Sequence, residues 1–272
     1  MRYGSAWLVG VCLVICCGHA VRAQFADKNL EAAVRKALKI EKGALKDEQL
    51  RNLFVLEADG MKIASLAGLE KCTNLQLIKL PDNQISDLGP LKTLENLQSL
   101  DLANNKIKDI SPLAGLKKLQ FIELSNNQIE QIDALKGLEK LSALYLSGNK
   151  IKNLAAVASL KKLSSLSLAN NQIEDIGPLA SISGLNTLDL SDNKVSDLKP
   201  LASQKELRIL ILERNKIKDL APLVAMCQRD SEGEKHFAPF LRLYLAGNPL
   251  TATAKSEQLE ELKRLGVRIQ SQ

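Results

Sequence analysis

An asparagine recurs every 22 residues along most of this chain, and no other feature of the sequence limits the fold as strongly. Aliphatic residues surround each one in the frame Leu-x-x-Leu-x-Leu-x-x-Asn-x-Ile, as Leu97, Leu100, Leu102 and Ile107 surround Asn105. Self-similarity at a fixed period of about 20 to 50 residues indicates a repeat architecture, in which each unit buries its apolar face against the next. The asparagines in phase are Asn83, Asn105, Asn127, Asn149, Asn171, Asn193 and Asn215.

The frame continues beyond these asparagines at both ends. The leucine pattern persists 22 residues before Asn83, around Met61, where the asparagine is lost. A last copy contains Leu243 and Asn248, the latter lying 33 residues after the preceding repeat asparagine. We therefore predict about nine units over residues 53–250, with an insertion before the last.

The insertion occupies residues near 227–239. It is strongly polar from Gln228 to His236, and the apolar Phe237 then leads back towards the core. This composition favours either a surface excursion on the convex side or a longer helix in that unit. In both cases Phe237 is expected to pack against the core.

Each unit combines a stretch of period two with one of period three. Alternation at Leu100 and Leu102 indicates a short strand whose leucines point inward. The residues Ile110, Leu113 and Leu116 have the period of a 3₁₀ turn. Prolines seven residues after an asparagine suit a first helical turn; they are Pro90, Pro112, Pro178, Pro200 and Pro222. The predicted fold class is α/β: a right-handed, horseshoe-shaped solenoid with a concave parallel sheet and convex 3₁₀ or helical turns.

Both ends of the array require caps that cover the exposed core. We predict a helical N-terminal cap over residues 24–52, with Asp27 and Asp47 at the starts of two helices. We predict a C-terminal cap over residues 251–272, where Ser256 starts a helix and Gly266 ends it.

Residues 1–23 have the composition of a secretory signal peptide. Arg2 is followed by an uncharged apolar run from Ala6 to Cys17, and small residues precede a cleavage site near Ala23/Gln24. The run is shorter than the roughly 18 residues that span a bilayer, so no stable membrane insertion is expected. A lipid-modified Cys16 or Cys17 is the alternative. Cleavage predicts a secreted or periplasmic bacterial protein.

The repeats resemble a known family. The segments LDLANNKIKDISPLAGL and LSLANNQIEDIGPLASI look like the 22-residue leucine-rich repeats of bacterial internalins and of eukaryotic phosphatase regulators. The opening FADKNLEAAVRKAL is similar to the helical cap that precedes such repeats in exported bacterial proteins. The resemblance implies a binding module, since members are mostly protein-binding adhesins and regulators.

The residues argue against an enzyme or a cofactor-binding protein. Without residues 1–23 the chain keeps one histidine, His236, and the sequence contains no glycine-rich phosphate loop, paired CxxC motif or HExxH motif. Cys72 and Cys227 are about seven strand steps apart, roughly 34 Å, so we expect no disulfide between them. Neither a catalytic residue nor a cofactor is predicted.

Two rows of polar residues have structural interpretations. Aspartates four residues after an asparagine resemble a carboxylate row, but they suit the starts of the convex turns, and no calcium-loop spacing is present. We therefore predict no metal site. The repeat asparagines, with Asn248, are expected to form a structural ladder that satisfies buried backbone groups of neighbouring coils.

Lysines are frequent, and the formal net charge is +6, falling to +4 when Arg2 and Arg22 leave with the signal. Lysine pairs such as Lys117 and Lys118 are interleaved with acidic residues and lack the aromatic platform or groove that nucleic-acid binding requires. We interpret them as a solvated surface and predict no nucleic-acid partner.

The outward strand positions carry the functional hypothesis. They are acidic although the whole chain is basic, with few cations: Glu57, Asp59, Asp82, Asp101, Glu123, Asp189, Asp192 and Glu213 against Lys79, Arg214 and Arg242. They also include three aromatic residues, Phe121, Tyr145 and Tyr244, which either brace neighbouring strands or anchor a partner.

We expect a monomer that binds a protein with a basic patch through Asp101, Phe121, Glu123, Tyr145, Asp189 and Tyr244. Recognition of a carbohydrate or cell-envelope polymer is the alternative function.

Overall fold

A computed structural model describes residues 25–233 and 237–270, and its central element is one open parallel sheet. The sheet contains ten strands in chain order, each paired with its sequence neighbours. They are β1 (Val55–Glu57), β2 (Leu77–Lys79), β3 (Ser99–Asp101), β4 (Phe121–Glu123), β5 (Ala143–Tyr145), β6 (Ser165–Ser167), β7 (Thr187–Asp189), β8 (Ile209–Ile211), β9 (Arg242–Tyr244) and β10 (Arg268–Gln270).

Strand register follows the repeat period. Leu100 of β3 lies beside Ile122 of β4, which in turn lies beside Leu144 of β5. These central residues point inward and are fully buried, whereas the residues on either side point outward and stay half-buried. The predicted solenoid with a parallel concave sheet is confirmed.

The convex side consists mainly of short 3₁₀ turns, as predicted from the period-three leucines. They are Leu69–Lys71, Gly89–Leu91, Ser111–Gly115, Asp133–Leu135, Ala155–Ser159, Gly177–Ser181, Lys199–Ser203 and Ala238–Phe240. Pro90, Pro112, Pro178 and Pro200 each lie at the second turn position, where proline's missing N–H costs no hydrogen bond.

The aspartate row closes these turns. Asp87, Asp109, Asp175, Asp197 and Asp219 each accept a hydrogen bond from the backbone N–H two residues later, at 2.7 to 3.0 Å. This is the local side-chain-to-backbone bond that aspartate makes in turns. The structural role of these aspartates is therefore to accept hydrogen bonds at the starts of the convex turns.

The N-terminal part of the described chain contains helices α1 (Lys28–Leu38) and α2 (Asp47–Leu50). Asp27 caps α1 through Oδ1, which accepts from Asn29 and Leu30 N–H groups, while its Oδ2 accepts from Ala64 N–H at 2.7 Å. One carboxylate therefore joins the helix to the first repeat. At α2 the prediction was off by one residue, because Lys46 is the N-cap and its N–H donates to the Gln49 side chain.

The insertion lengthens a helix. In place of a 3₁₀ turn, the unit contains α3 (Ala221–Glu232), with Pro222 in its first turn. Of the two expectations for this segment, the longer helix is confirmed. Phe237 is 3% exposed and packs in the core, as predicted. His236 lies outside the described residues.

The C-terminal end differs from expectation in two ways. A π-helical turn (Ala254–Gln258) leads into α4 (Leu259–Arg264), and Ser256 lies inside it with its hydroxyl bonded to Ala252 O. The cap is instead Thr251, whose Oγ1 accepts from Ala254 N–H. Gly266, at φ +92°, ends the helix as predicted, and β10 then extends the sheet, an element the repeat frame gave no reason to expect.

One apolar core runs the length of the solenoid from Phe25 to Val267. Both cysteines in the described residues, Cys72 and Cys227, are buried and unbridged, as predicted. Burial raises the pKa of each thiol to about 12, which keeps the sulfur protonated and unreactive.

Candidate concave interface

The asparagines form a hydrogen-bonded ladder behind the sheet. Asn127 donates from Nδ2 to Leu102 O and Leu124 O, both at 3.0 Å, and accepts at Oδ1 from Ile107 N–H at 2.9 Å. One amide thus satisfies main-chain groups in two successive coils, none of which has a strand partner. Asn248 makes equivalent bonds across the insertion, to Leu212 O and from Ile217 N–H.

The residue before most repeat asparagines adopts a left-handed conformation. The φ angle lies between 51° and 57° at Asp82, Asn104, Asn126, Asn170, Asp192 and Arg214, and glycine occupies the same place at 148 and 247. The alternation along the strands predicts only an outward residue at this position and says nothing of its backbone conformation. The abundance of Asn, Asp and Gly there was the available signal, because these residues tolerate positive φ best.

Outward side chains at the last strand position form a continuous row across the sheet. The row, from β1 to β9, is Glu57, Lys79, Asp101, Glu123, Tyr145, Ser167, Asp189, Ile211 and Tyr244. Neighbours in a row are one strand spacing apart, about 4.8 Å. Asp101, Glu123 and Tyr145 are therefore consecutive, whereas Asp189 is two strands from Tyr145 and Tyr244 is four, about 19 Å away.

Phe121 and Tyr145 form an aromatic pair at the centre of the concave face. Phe121 occupies the first position of β4 and Tyr145 the last of β5, a diagonal arrangement that long side chains can bridge. Their ring centroids are 5.6 Å apart and the ring planes are inclined at 48°. The contact between the rings means that they support each other. Because both rings remain partly exposed, they also offer apolar surface to a partner.

Three acidic residues share the outward face with this pair: Asp101 and Glu123 lie on β3 and β4, and Asp189 lies two strands from Tyr145. Each also has a local role: Asp101, Glu123 and Asp189 accept from the backbone N–H of Ala103, Ser125 and Ser191 at 2.7 to 3.1 Å. These bonds fix the carboxylates at the strand ends. In the described part of the chain none of the three forms a salt bridge, although Lys79 of β2 lies beside Asp101 in the row.

The pKa of the Glu123 carboxyl is raised. Burial raises its pKa and the adjacent Asp101 carboxylate adds to the rise, while hydrogen bonds from Ser125 oppose it. The folded protein thus holds a carboxylate that a nearby cation would stabilise. Residues with shifted pKa values are frequent at functional sites.

Charged residues that follow β7 and β8 form salt bridges, unlike the carboxylates at the centre of the face. Arg214 binds Asp192 through two hydrogen bonds of 2.6 and 2.7 Å and contacts Glu213 at 3.0 Å. These residues lie beyond the strand ends, at the edge of the concave face, and Arg214 offsets part of the negative charge of the two carboxylates.

In residues 25–233 and 237–270, no group of three or more His, Cys, Asp or Glu side chains is arranged to hold a metal ion. The helices in those same ranges are too short or too polar to cross a membrane. Residues 1–23, for which a signal peptide is predicted, lie outside the described structure.

The family model described as "Leucine Rich repeats (2 copies)" matches residues 95–137, 138–181 and 183–225. No curated protein sequence matches the chain.

Among solved structures, an internalin from Listeria monocytogenes is 31% identical with a TM-score of 0.70, over 91% of this chain and 75% of the internalin. Internalin C2 from the same species is 34% identical with a TM-score of 0.72, over 84% and 93%. The leucine-rich repeat ectodomain of the Arabidopsis thaliana receptor kinase GASSHO1/SCHENGEN3, in complex with CASPARIAN STRIP INTEGRITY FACTOR 2, shares the fold at 18% identity and a TM-score of 0.63, over 83% and 27%.

Proposed function

This chain belongs to the internalin-like leucine-rich repeat proteins, and on that premise we propose that it is an exported protein-binding module that acts through its concave face. The single observation that carries the proposal is the partly exposed Phe121–Tyr145 pair on a face that also carries Asp101, Glu123 and Asp189. Aromatic anchors are enriched at interface hot spots, and flanking charges steer association. The partner accordingly has a basic patch.

The electrostatics of the face support a cationic partner. Asp101, Glu123 and Asp189 form no salt bridge among the described residues, where Lys79 beside Asp101 is the one cation in their row, and burial raises the pKa of Glu123. A lysine or arginine placed between Asp101 and Glu123 relieves their mutual repulsion. Binding then weakens as pH falls through the raised pKa of Glu123, because the protonated form no longer attracts the cation.

The proposal also includes export and the oligomeric state. The composition of residues 1–23 supports cleavage near Ala23/Gln24 and release to the periplasm or the medium. We propose a monomeric binder without an enzymatic activity, a cofactor or a nucleic-acid partner, because the family consists of binding modules and the concave face is the most distinctive surface.

Recognition of a carbohydrate or cell-envelope polymer is the second candidate. It is favoured by the same aromatic pair, since exposed rings can stack on sugars. The two candidates differ in salt dependence: contacts between exposed charges weaken as ionic strength rises, whereas stacking is nearly insensitive to it.

The test is affinity capture from a cell-envelope fraction, followed by binding kinetics with the recovered partner. Glu123→Lys is expected to slow association several-fold at low salt, with a smaller effect at high salt, because it reverses the steering charge. The matched control is Glu130→Lys, which changes an exposed charge that does not point outward from a strand. Equal effects of the two variants would contradict a concave site.

A further inference from the structure

Arginine replaces uncharged residues at two positions near the C-terminal end of the sheet. Strands β9 and β10 begin with Arg242 and Arg268. The strands before them begin with uncharged residues, which are Val55, Leu77, Ser99, Phe121, Ala143, Ser165, Thr187 and Ile209. Arg208 directly precedes β8, where the earlier strands are preceded by Phe54, Gln76, Gln98, Gln120, Ser142, Ser164 and Asn186. The repeat frame therefore requires no cation at either position.

The three arginines are neighbours. Arg242 and Arg268 are register partners on adjacent strands, about 4.8 Å apart, and both are exposed. Arg242 N–H donates to Arg208 O at 2.9 Å, which places Arg208 on the other side of Arg242. Among the described residues none of the three forms a salt bridge, not even with the nearby Glu206. Like charges directly opposite each other in a sheet are destabilising, so folding alone gives no reason for this arrangement.

Apolar side chains border these arginines. The guanidinium carbon of Arg208 lies 4.6 Å from the ring centroid of Phe240, a cation–π contact. Phe240 is nevertheless 53% exposed, and Ile209, which lies beside Arg242, is half-buried. We name these five residues the arginine surface: Arg208, Ile209, Phe240, Arg242 and Arg268. It offers guanidinium groups and apolar area that a ligand can reach from solvent.

Protection of the sheet edge explains only part of this surface. A charged residue on an edge strand discourages pairing with other chains, and Arg268 lies on the terminal strand β10. Arg242 lies on the interior strand β9, and Arg208 precedes the interior strand β8, so neither protects an edge.

We propose that the arginine surface binds an acidic peptide segment in which carboxylates flank an apolar residue. A carboxylate matches the paired N–H donors of a guanidinium, and one placed between Arg242 and Arg268 offsets their repulsion. The apolar side chain covers Phe240 and Ile209, which an inorganic anion would leave exposed. The surface is four strands, about 19 Å, from Tyr145, and the inference does not depend on the proposed function.

The test is a titration of the full mature chain with the acetylated peptide amide Glu-Glu-Leu-Glu-Glu, followed by NMR of backbone amides and arginine Nε–H groups. Saturable shifts are expected at the arginine surface, with an affinity that falls as salt rises. Two control peptides separate the contributions. Gln-Gln-Leu-Gln-Gln should show no saturable binding, and Glu-Glu-Ala-Glu-Glu should bind several-fold more weakly.

The double variant Arg242→Gln, Arg268→Gln is decisive, because both side chains are exposed and the protein should still fold. It is expected to weaken peptide binding at least about tenfold. The matched control Lys140→Gln, Lys162→Gln removes the same two charges from exposed positions elsewhere and should bind within about twofold of the parent. Tyr145→Ala should bind the peptide normally, which separates this site from the aromatic pair.

Three results would overturn the proposal. The first is an absence of saturable shifts with the glutamate peptide. The second is an equal loss of affinity in the two double variants, which would reduce the effect to net charge. The third is displacement of the peptide by inorganic phosphate at matched ionic strength, which would assign the arginines to a phosphate.

Discussion

The inward and outward positions of a single strand differ in burial and in how strongly neighbouring repeats restrict the residue type. In β4 the inward residue Ile122 is fully buried, and the residues at the same position in β3 and β5 are also aliphatic and fully buried. The outward neighbours of Ile122 are Phe121 and Glu123, which are half-buried. At the same positions in β3 and β5, Phe121 has Ser99 and Ala143 beside it, and Glu123 has Asp101 and Tyr145. Packing fixes the inward face, because each unit must match the next, whereas the outward face is free to differ.

The inward and outward faces of the sheet specify different properties of the protein. The inward face, with the asparagines, specifies how coils stack, and one unit resembles another. The outward face places an aromatic pair and three carboxylates at particular strands. Substitutions should therefore separate cleanly into those that change stability and those that change binding.

Two adjacent residues of β5 should show the largest difference in unfolding free energy between the inward and outward faces. Leu144→Ala removes a fully buried side chain and is expected to cost roughly 2 to 5 kcal/mol of unfolding free energy. Tyr145→Ala removes an outward ring and should cost far less. Urea denaturation measures both, and comparable losses would contradict the division between the two faces.

Asn127→Leu should have the next largest effect. It leaves Leu102 O, Leu124 O and Ile107 N–H without their amide partner, at a cost of roughly 1 to 3 kcal/mol. The exposed Asn126 beside it is the matched control, because Asn126→Gly retains access to the left-handed conformation. If denaturant midpoints of the two variants coincide, the ladder does not stabilise the stack.

Asp27→Ala should cost about 0.5 to 2 kcal/mol as the loss of a helix cap. Burial acts to raise the pKa of Asp27, but hydrogen bonds from Ala64, Leu30, Ser65 and Asn29 outweigh it and lower the pKa. The stabilisation is therefore present above the ordinary aspartate pKa and is lost as pH falls through the folded value. Asp27→Asn should remove this part of the acid sensitivity, and an unchanged pH profile would count against the cap.

The two cysteines test the core without a substitution. Burial and a pKa of about 12 predict that neither Cys72 nor Cys227 reacts with a thiol reagent in the native protein. Both should react at the rate of unfolding in denaturant, as followed by absorbance. Rapid native labelling of Cys72 would show that the N-terminal repeats are loosely packed.

The fold followed from sequence because one period recurs many times, so each inward leucine supports the assignment of the others. Three features fell outside that logic. Strand β10 lies in a segment without the leucine frame, Thr251 displaced Ser256 as a cap, and the left-handed residues depend on backbone geometry that a pattern of hydrophobicity does not report.

The site was partly predictable for the same reason. Alternation along the strands indicated which residues point outward, and the structure places Phe121 beside Tyr145 and Asp101 beside Glu123. The Arg214–Asp192 pair was not predictable, since it depends on side-chain conformations at the edge of the sheet.

We propose that the partner binds the concave face through the aromatic pair. The direct measurement is titration calorimetry of the recovered partner against the double variant Phe121→Ala, Tyr145→Ala, with Phe240→Ala as an exposed aromatic control outside the outward row. Each ring of the pair is expected to contribute about 2 kcal/mol of binding, with a native fold retained in the variant, and the control is expected to bind normally. Normal affinity in the double variant would move the binding site off this face.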